Sequence, residues 1–333
     1  MRKSKFKFMD KEEKNVEMMH LSPYMKSVIE RLTADKKRPA VHTYNATLNS
    51  FTKFSGGQGT EEMLVTDVFT AGKLKEYEAW LRSRNASWNT VSTYMRVLKA
   101  VYNRLVEAKH LTYDARLFDS VYTKVEAQSK RSLTEEQMNT LLRTDFEKLP
   151  EDVQNVLAYF LLMFLFRGMP FIDMAYLRKQ DLKEHCITYC RHKTGKKMVV
   201  RIPHEATALF EKCRNKKTDS GYLFPILDET TENDKKLYEN YRQALRTFNR
   251  KLAKMAALLL PGTNISSYTA RHTWATLAFY SGIPIGIISK ALGHSSIKVT
   301  ETYLKPFENE KVDAANDELI MLVVKRSKEK IVA

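Results

Sequence analysis

Three pieces of one stretch, Ser266 to Tyr303, decide how the chain is organised: Ser-Ser-Tyr-Thr-Ala-Arg-His-Thr-Trp-Ala-Thr from 266, Ala-Leu-Gly-His-Ser-Ser from 291, and Val-Thr-Glu-Thr-Tyr from 299. An apolar helical run begins at Arg271 and stops at Gly282, and a second begins at Pro284 and stops at Gly293. Proline at the start and glycine after the end are typical helix boundaries. The pattern predicts two helices, with His294 on a fixed corner after the second.

A third helix is predicted directly after that corner. Ser295 or Ser296 can cap its start, and Tyr303 then lies two turns in. Helical spacing puts Ile297 and Leu304 on the buried face and Tyr303 off it. Arginine, histidine and tyrosine are therefore presented from three successive helix ends or faces.

This set of side chains suits attack on a phosphodiester. Negative charge gathers on the non-bridging oxygens in the transition state, where the planar fork of Arg271 meets two oxygens and His294 adds a third donor. Tyr303 can then be the nucleophile. A phenol with a pKa near 10 is only about one part in a thousand ionised at pH 7, so it needs cationic neighbours.

The motif order resembles that of the tyrosine recombinases, which include phage integrases, Xer-type resolvases and the invertases and integrases of bacterial mobile elements. The family has a His-x-x-Arg motif, then Leu-Gly-His, then a tyrosine nine residues on. These positions correspond to Arg271, His294 and Tyr303. Tyr268 stands where the motif has its first histidine, and a phenol near neutral pH donates a hydrogen bond but takes up no proton.

Composition favours a polyanionic partner. The 333 residues can form two domains, and the net charge of +16 is shared by both halves of the chain. This distribution fits a clamp around DNA, although a solvated surface is the commoner reading of any single charge run. Three cysteines make no disulfide framework, which favours a reducing, cytoplasmic compartment. The longest apolar run, 156–166, is about half of the roughly 20 residues that a membrane span needs.

The region before Leu111 is helical in pattern, with predicted helices at roughly 23–33, 41–54, 67–83 and 88–109. In the last of them, Val91, Tyr94 or Met95, Leu98, Tyr102 and Leu105 keep helical spacing. Residues 21–111 resemble the small SAM-like core-binding domain of the recombinases. The resemblance implies DNA contacts from Arg96 and Lys99, while a solvated helix face is the alternative for each.

A second domain is predicted over residues 132–306, after a linker at 112–131 that lacks periodicity. Its start has the capping-box pattern Thr134-Glu-Glu-Gln137, in which each of the two end residues satisfies a free backbone donor. The resemblance makes this the catalytic domain. Residues 1–20 read as a basic arm without a secretory h-region. For 307–333 the resemblance implies a segment exchanged with a neighbouring protomer, and a segment that covers its own domain is the alternative.

Arg167 ends the apolar run and is followed by Gly168 and Pro170, where a helix must stop. From its place alone, Arg167 is either a surface arginine or one held at a cleft. The family has its first catalytic arginine at this junction, usually followed closely by an acidic residue. The resemblance therefore assigns Arg167 that role, with Asp173 further on as the acidic residue.

A hairpin is predicted next, with strands at 187–193 and 198–202 around a Thr194-Gly195 turn. The family carries a catalytic lysine here, which implies Lys193, with Lys196 and Lys197 as competitors. The nearby His and Cys residues do not predict zinc. Cys186 and Cys190 would lie roughly 13 Å apart along a strand, too far for one metal.

These observations predict a mainly α, two-domain DNA clamp: a helical core-binding domain followed by a mainly helical catalytic domain with a small β-hairpin or sheet. The resemblance implies site-specific recombination through a 3′-phosphotyrosyl bond, with no metal or other cofactor. It implies double-stranded DNA with inverted-repeat half-sites as partner and a homotetramer in the synaptic complex. It also admits an accessory DNA-bending protein and, in a bacterial cytoplasm, association with the nucleoid.

Two alternatives share these sequence features. A type IB topoisomerase or telomere resolvase would use the same chemistry and differ in the number of duplexes joined. The other is a non-catalytic, sequence-specific DNA-binding regulator. The ordered set Arg167, Lys193, Arg271, His294 and Tyr303 argues against the regulator, because each residue alone is common but the set at this spacing is not.

Overall fold

Two units, Met1–Gln128 and Ser129–Ala333, make up the chain in a computed structural model. The model describes residues 19–56, 63–124, 132–228, 233–304, 312–313, 315–321 and 324. Residues 1–18 of the predicted arm and 305–311 after the candidate nucleophile therefore lie outside the described residues. Each unit is described by itself.

The first unit is helical, as predicted. Its described helices are α1 (Leu21–Ala34), α2 (Arg38–Phe54), α3 (Val65–Val68), α4 (Ala71–Ser83) and α5 (Trp88–Glu107). The predicted helix at 67–83 is wrong in one respect, because it is divided into α3 and α4. Thr70 is extended and its side chain accepts a hydrogen bond from the Lys73 N–H, which starts a new helix at this point.

The core of the first unit lies along α5. Val91, Met95, Leu98 and Leu105 are fully buried, as their helical spacing predicted. Such a buried apolar stripe stabilises a helix by about 1.5–3 kcal/mol for each large side chain. One face of this long helix therefore packs against core residues from the other helices of the unit.

The first packed unit continues beyond the boundary predicted at Leu111. Leu117, Phe118 and Val121 are buried in its core. The Tyr102 hydroxyl donates to the carbonyl oxygen of Thr112 at 2.9 Å, which holds the segment against α5. Residues 112–124, predicted as linker because periodicity fails, are irregular in backbone but packed.

The second unit is mainly helical with one small sheet. Its described elements are α6 (Glu135–Arg143), α7 (Glu151–Leu165), α8 (Phe171–Tyr176), β1 (Leu182–Lys183), β2 (Cys186–Cys190), β3 (Lys197–Arg201), α9 (Thr207–Cys213), α10 (Asp234–Leu259), α11 (Thr269–Tyr280), α12 (Ile285–Leu292) and α13 (Ile297–Glu301). The capping box at Thr134 and Gln137 is present with both of its hydrogen bonds. Helix α7 is almost wholly apolar and forms the centre of the core, where it packs against α10 and α11.

The sheet has three antiparallel strands in the order β1-β2-β3, of which the sequence predicted two. The predicted first strand, 187–193, is too long, because β2 ends at Cys190. The carbonyl oxygen of Arg191 accepts from the N–H groups of Thr194 and Gly195, and this turn replaces the last strand residues. Lys193 therefore lies in the turn.

Helix α13 begins after Ser296, one of the two predicted caps, although the Ser296 side chain makes no capping hydrogen bond. It stops at Glu301, so Tyr303 lies in the turn after it rather than two turns in. Ile297 keeps 48% of its surface exposed, whereas Thr300 is fully buried and Leu304 is buried as predicted. The hydrogen bond between His294 and Thr300 determines which face of this five-residue helix is buried. The spacing of its apolar residues does not determine it.

Within the described ranges, no helix is long and apolar enough to cross a membrane. Among the same residues, no three His, Cys, Asp or Glu side chains come together where they could hold a metal ion. Cys186 and Cys190 are free thiols on β2, half-buried and exposed respectively.

Candidate active site

Arg271 lies in the first turn of α11 with only 2% of its surface exposed. Its Nη1 donates to the carbonyl oxygen of Gly168 at 2.9 Å, and its Nη2 donates to that of Leu292. Burial lowers the pKa of Arg271, and the nearby cation Arg191 lowers it further. Its Nε is buried without a hydrogen-bond partner among the described residues. A buried donor left unsatisfied costs about 1–3 kcal/mol, so this atom favours an incoming oxygen.

Gly168 permits the close approach of α7 and α11. Its φ of +66° is in the left-handed region, and a Cβ there would lie 2.9 Å from the Cα of Arg271. Arg167, directly before it, also has a positive φ of 60°. Its half-buried side chain reaches the β3 strand, where Nη1 donates to the carbonyl oxygen of Val199 at 3.4 Å. The junction after α7 thus brings Arg167 to the hairpin and leaves room for the backbone of Arg271 beside Gly168.

His294 lies on the corner that the sequence predicted. Gly293 ends α12 with a φ of 67°, and a Cβ there would lie 2.7 Å from the Sδ of Met198 on β3. The corner is therefore packed directly on the hairpin. Lys196 donates from its Nζ to the carbonyl oxygen of His294 at 3.2 Å.

The His294 imidazole is buried and engaged at both nitrogens. Nε2 lies 3.0 Å from Nη2 of Arg271, and Nδ1 lies 2.9 Å from Oγ1 of Thr300. Since a guanidinium only donates, Nε2 accepts and Nδ1 carries the proton, which it donates to Thr300. Burial, together with the nearby cations Arg271 and Arg191, lowers the pKa of His294 to about 3. His294 is neutral at pH 7.

The Tyr303 ring contacts two imidazoles. Its centroid is 4.8 Å from that of His294 and 4.8 Å from that of His272, with interplanar angles of 34° and 31°. The guanidinium carbon of Arg271 is 5.6 Å from the same ring. The tyrosine is thus held against the cationic centre through its ring.

The Tyr303 hydroxyl pairs with that of Tyr268, with their Oη atoms 2.7 Å apart. Tyr268 precedes α11 and keeps 38% of its surface exposed. Burial raises the pKa of Tyr268 to about 12, and the hydrogen bond with Tyr303 contributes. Tyr268 is therefore a protonated phenol at neutral pH, able to donate to its neighbour or to accept from it.

A buried pair that the sequence reasoning missed joins the hairpin to the site. Arg191 donates from Nη1 to the carbonyl oxygen of Gly293 at 3.0 Å, and its Nε lies 3.8 Å from Oδ2 of Asp173. Oδ1 of Asp173 accepts from the His192 N–H. Burial raises the pKa of Asp173, and the His192 N–H and Arg191 oppose that shift. Strand parity was the available signal, because Arg191 follows Ile187 and Tyr189 on the inward face.

The remaining predicted residues lie further from this cluster. Lys193 is exposed in the hairpin turn, and its charge helps to lower the pKa of His294. Arg96 and Lys99 are exposed on α5 of the first unit, where Nζ of Lys99 lies 5.6 Å from the Phe118 ring centre. The second unit therefore brings together Arg271, His294, Tyr303 and Tyr268, with Arg167 and the lysines on the hairpin side.

Comparison with known proteins identifies the family. Residues 131–310 match the phage integrase family, and residues 20–118 match the phage integrase SAM-like domain. Tyrosine recombinase XerA of Pyrococcus furiosus is 25% identical over 240 residues, which cover 71% of this chain and 76% of that protein. The chain belongs to the phage integrase family. It is a tyrosine recombinase, an enzyme that breaks and rejoins DNA strands.

Solved structures share the fold. The Tn1549 transposon integrase in complex with transposon right end DNA has a TM-score of 0.63 at 17% identity, and the match covers 91% of this chain and 100% of that one. A lambda integrase tetramer bound to a Holliday junction has a TM-score of 0.62 at 14% identity, covering 86% of this chain and 78% of that one. The mainly helical architecture with a small sheet is therefore that of the integrases.

Proposed function

We propose that Tyr303 is the nucleophile of a site-specific recombination reaction. Its oxygen attacks the scissile phosphate to form a 3′-phosphotyrosyl bond, and the 5′ oxygen leaves as a hydroxyl. The observation that carries this proposal is the position of the Tyr303 ring, in tilted contact with His294 and 5.6 Å from the guanidinium carbon of Arg271. Cations next to a phenol favour its ionised, nucleophilic form.

Arg271 and Arg167 stabilise the charge on the phosphate oxygens in this proposal. The buried, unpartnered Nε of Arg271 supports the assignment, because a phosphate oxygen would satisfy it. An oxygen that also accepts from Nη2 releases Nε2 of His294 from its present bond to Arg271. Thr300 can then donate to Nδ1, so the neutral imidazole carries its proton on Nε2 and becomes a further donor to the phosphate.

A lysine of the hairpin turn protonates the departing 5′ oxygen. The sequence favours Lys193, which is exposed and therefore free to reach a substrate. Lys196 competes, since its ammonium contacts the His294 carbonyl oxygen. The Tyr268 hydroxyl lies 2.7 Å from the attacking oxygen of Tyr303 and orients that oxygen through a hydrogen bond.

The partner in this proposal is double-stranded DNA with inverted-repeat half-sites, recombined by a homotetramer, with an accessory DNA-bending protein admitted. The net charge of +16 and the exposed Arg96 and Lys99 support DNA contact.

Segment 307–333 docks on a neighbouring protomer. Leu319, Ile320 and Met321 are at least half exposed on their own chain, so they can contact another protomer. In this proposal the segment docks into the cavity of about 980 Å³ that Glu135 and Glu136 rim in the second unit of the neighbour.

A nicked suicide substrate tests the nucleophile. Tyr303→Phe is expected to bind DNA normally and to form no covalent adduct, while wild type accumulates the adduct. Tyr113→Phe, at a tyrosine 65% exposed in the first unit, is the matched control and is expected to react as wild type. An adduct with Tyr303→Phe would refute the assignment, and products confined to one duplex would favour a topoisomerase.

A further inference from the structure

The attacking tyrosine must lose its phenolic proton, and most of its described neighbours cannot hold it. Arg271 only donates hydrogen bonds. Nε2 of His294 accepts from Arg271 before DNA binds and, in the proposed function, donates to the phosphate afterwards. Burial and hydrogen bonding raise the pKa of Tyr268 to about 12, so its neutral hydroxyl can pass a proton on but does not hold a second one.

His272 is the remaining titratable side chain in ring contact with both tyrosines among the described residues. Its centroid lies 4.8 Å from that of Tyr303 and 5.4 Å from that of Tyr268. It follows Tyr268 by one helical turn, and its N–H donates to the Tyr268 carbonyl oxygen at 3.1 Å. Residues four apart share a helix face, so this imidazole lies beside the rings of both tyrosines.

We propose that His272 is the proton acceptor for the nucleophile, reached through the Tyr268 hydroxyl. This inference rests on the proposed role of Tyr303. As the Tyr303 oxygen bonds to phosphorus, its proton passes to the Tyr268 oxygen, and the proton of Tyr268 passes to a ring nitrogen of His272. The bond from phosphorus to the 5′ oxygen breaks, and that oxygen takes a proton from the hairpin lysine. Religation reverses each transfer.

The chemistry of the three side chains supports this path. An imidazole is the side chain that takes up and returns a proton near neutral pH, whereas a phenol does not. Tyr268 and Tyr303 contact the His272 ring, and Tyr303 also contacts Arg271 and His294. The Arg271 cation therefore acts on the phenolate and the phosphate, while the proton leaves toward His272.

His272→Phe and His272→Gln separate proton transfer from packing. Phenylalanine keeps a ring against Tyr303, and glutamine keeps hydrogen bonding, but neither takes up a proton. Cleavage of a suicide substrate by both variants is expected to fall by about a hundredfold or more, the usual contribution of a general base. The decline of the wild-type rate toward low pH should disappear. His204→Phe, at an exposed histidine before α9, is expected to match wild type.

A substrate with sulfur in place of the 5′ bridging oxygen makes the test specific. A thiolate leaves without needing a proton, so this substrate should restore cleavage by Lys193→Ala but not by either His272 variant. Rescue of the His272 variants, or an unchanged acidic limb of the rate profile, would overturn the inference. Adduct formation by Tyr303→Phe would instead refute the proposed function. Gel-shift affinity and thermal melting of each variant check that it is folded.

Discussion

Nη2 of Arg271 lies 3.0 Å from Nε2 of His294, so the two side chains expected to hold the phosphate are bonded to each other before DNA arrives. The same guanidinium is fixed by the carbonyl oxygens of Gly168 and Leu292. Its position is therefore set by folding and not by the substrate. Donors held in advance stabilise a transition state without reorganisation when the reaction occurs.

Replacing Arg271 should separate charge from geometry. Arg271→Ala is expected to slow cleavage by about a hundredfold or more, the usual cost of a preorganised donor. Arg271→Lys should recover part of that loss, because charge returns without the fork that bonds Gly168 and Leu292. Single-turnover cleavage of a suicide substrate measures both. Arg214→Lys, at an exposed residue, is the control, and a fully active Arg271→Ala would contradict the assignment.

Acid should destabilise the protein partly through His294. Burial and the nearby cations lower its pKa to about 3 in the folded state, whereas an unfolded imidazole titrates near 6.5. Between these values the unfolded chain binds a proton that the folded chain does not, so this contribution to stability is lost as the pH falls. The slope is at most about 1.4 kcal/mol per pH unit. Urea unfolding of wild type and His294→Asn from about pH 7 to about pH 5 measures it, and equal slopes would contradict the prediction.

Adding a methyl group at Gly293 should disturb the corner that carries His294. Gly293 has a positive φ, and its Cβ would lie 2.7 Å from the Sδ of Met198, so Gly293→Ala is expected to lower stability and cleavage together. Gly286→Ala is the matched control. Gly286 lies inside α12 with nothing within 4 Å of its Cβ position, so alanine should stabilise the helix slightly. Thermal melting measures both variants, and an equal change in melting temperature would contradict the prediction.

Deleting residues from 312 onward should leave a soluble protein that binds one half-site but forms no synaptic complex. Leu319, Ile320 and Met321 are exposed, so their removal uncovers no core of the second unit. Gel-shift assays measure half-site binding, and light scattering measures assembly. Normal synapsis by the truncated chain would refute exchange between protomers, and insolubility would favour a segment that covers its own unit.

Local sequence patterns predicted the elements of the site better than its contacts. The stop after α7, the capping box at Thr134 and the glycine corner before His294 depend on a few neighbouring residues, and all three are present. Ile297 was wrongly predicted to be buried, because a hydrogen bond from His294 to Thr300 fixes that short helix. A side-chain hydrogen bond of this kind cannot be predicted from the spacing of apolar residues.

The buried pair of Arg191 and Asp173 was missed for a different reason. The two residues are far from the motif stretch, and the pair forms only when the hairpin packs on α8. The alternation of side chains along the predicted strand indicates that Arg191 faces inward, but only the lysines of the hairpin were considered there. Likewise, the contact between His272 and Tyr303 depends on the turn after α13, which helix periodicity did not predict.

The long sequence separations within the site have a consequence for protein synthesis. Gly168 and Arg271 meet across 103 positions, and Arg191 and Gly293 across 102. Contacts of this range form late, because the chain must close large loops first. Tyr303 follows every other member of the cluster along the chain, so it leaves the ribosome after the rest of the site. In the proposed mechanism, a growing polypeptide that has not yet reached Tyr303 therefore cannot nick DNA.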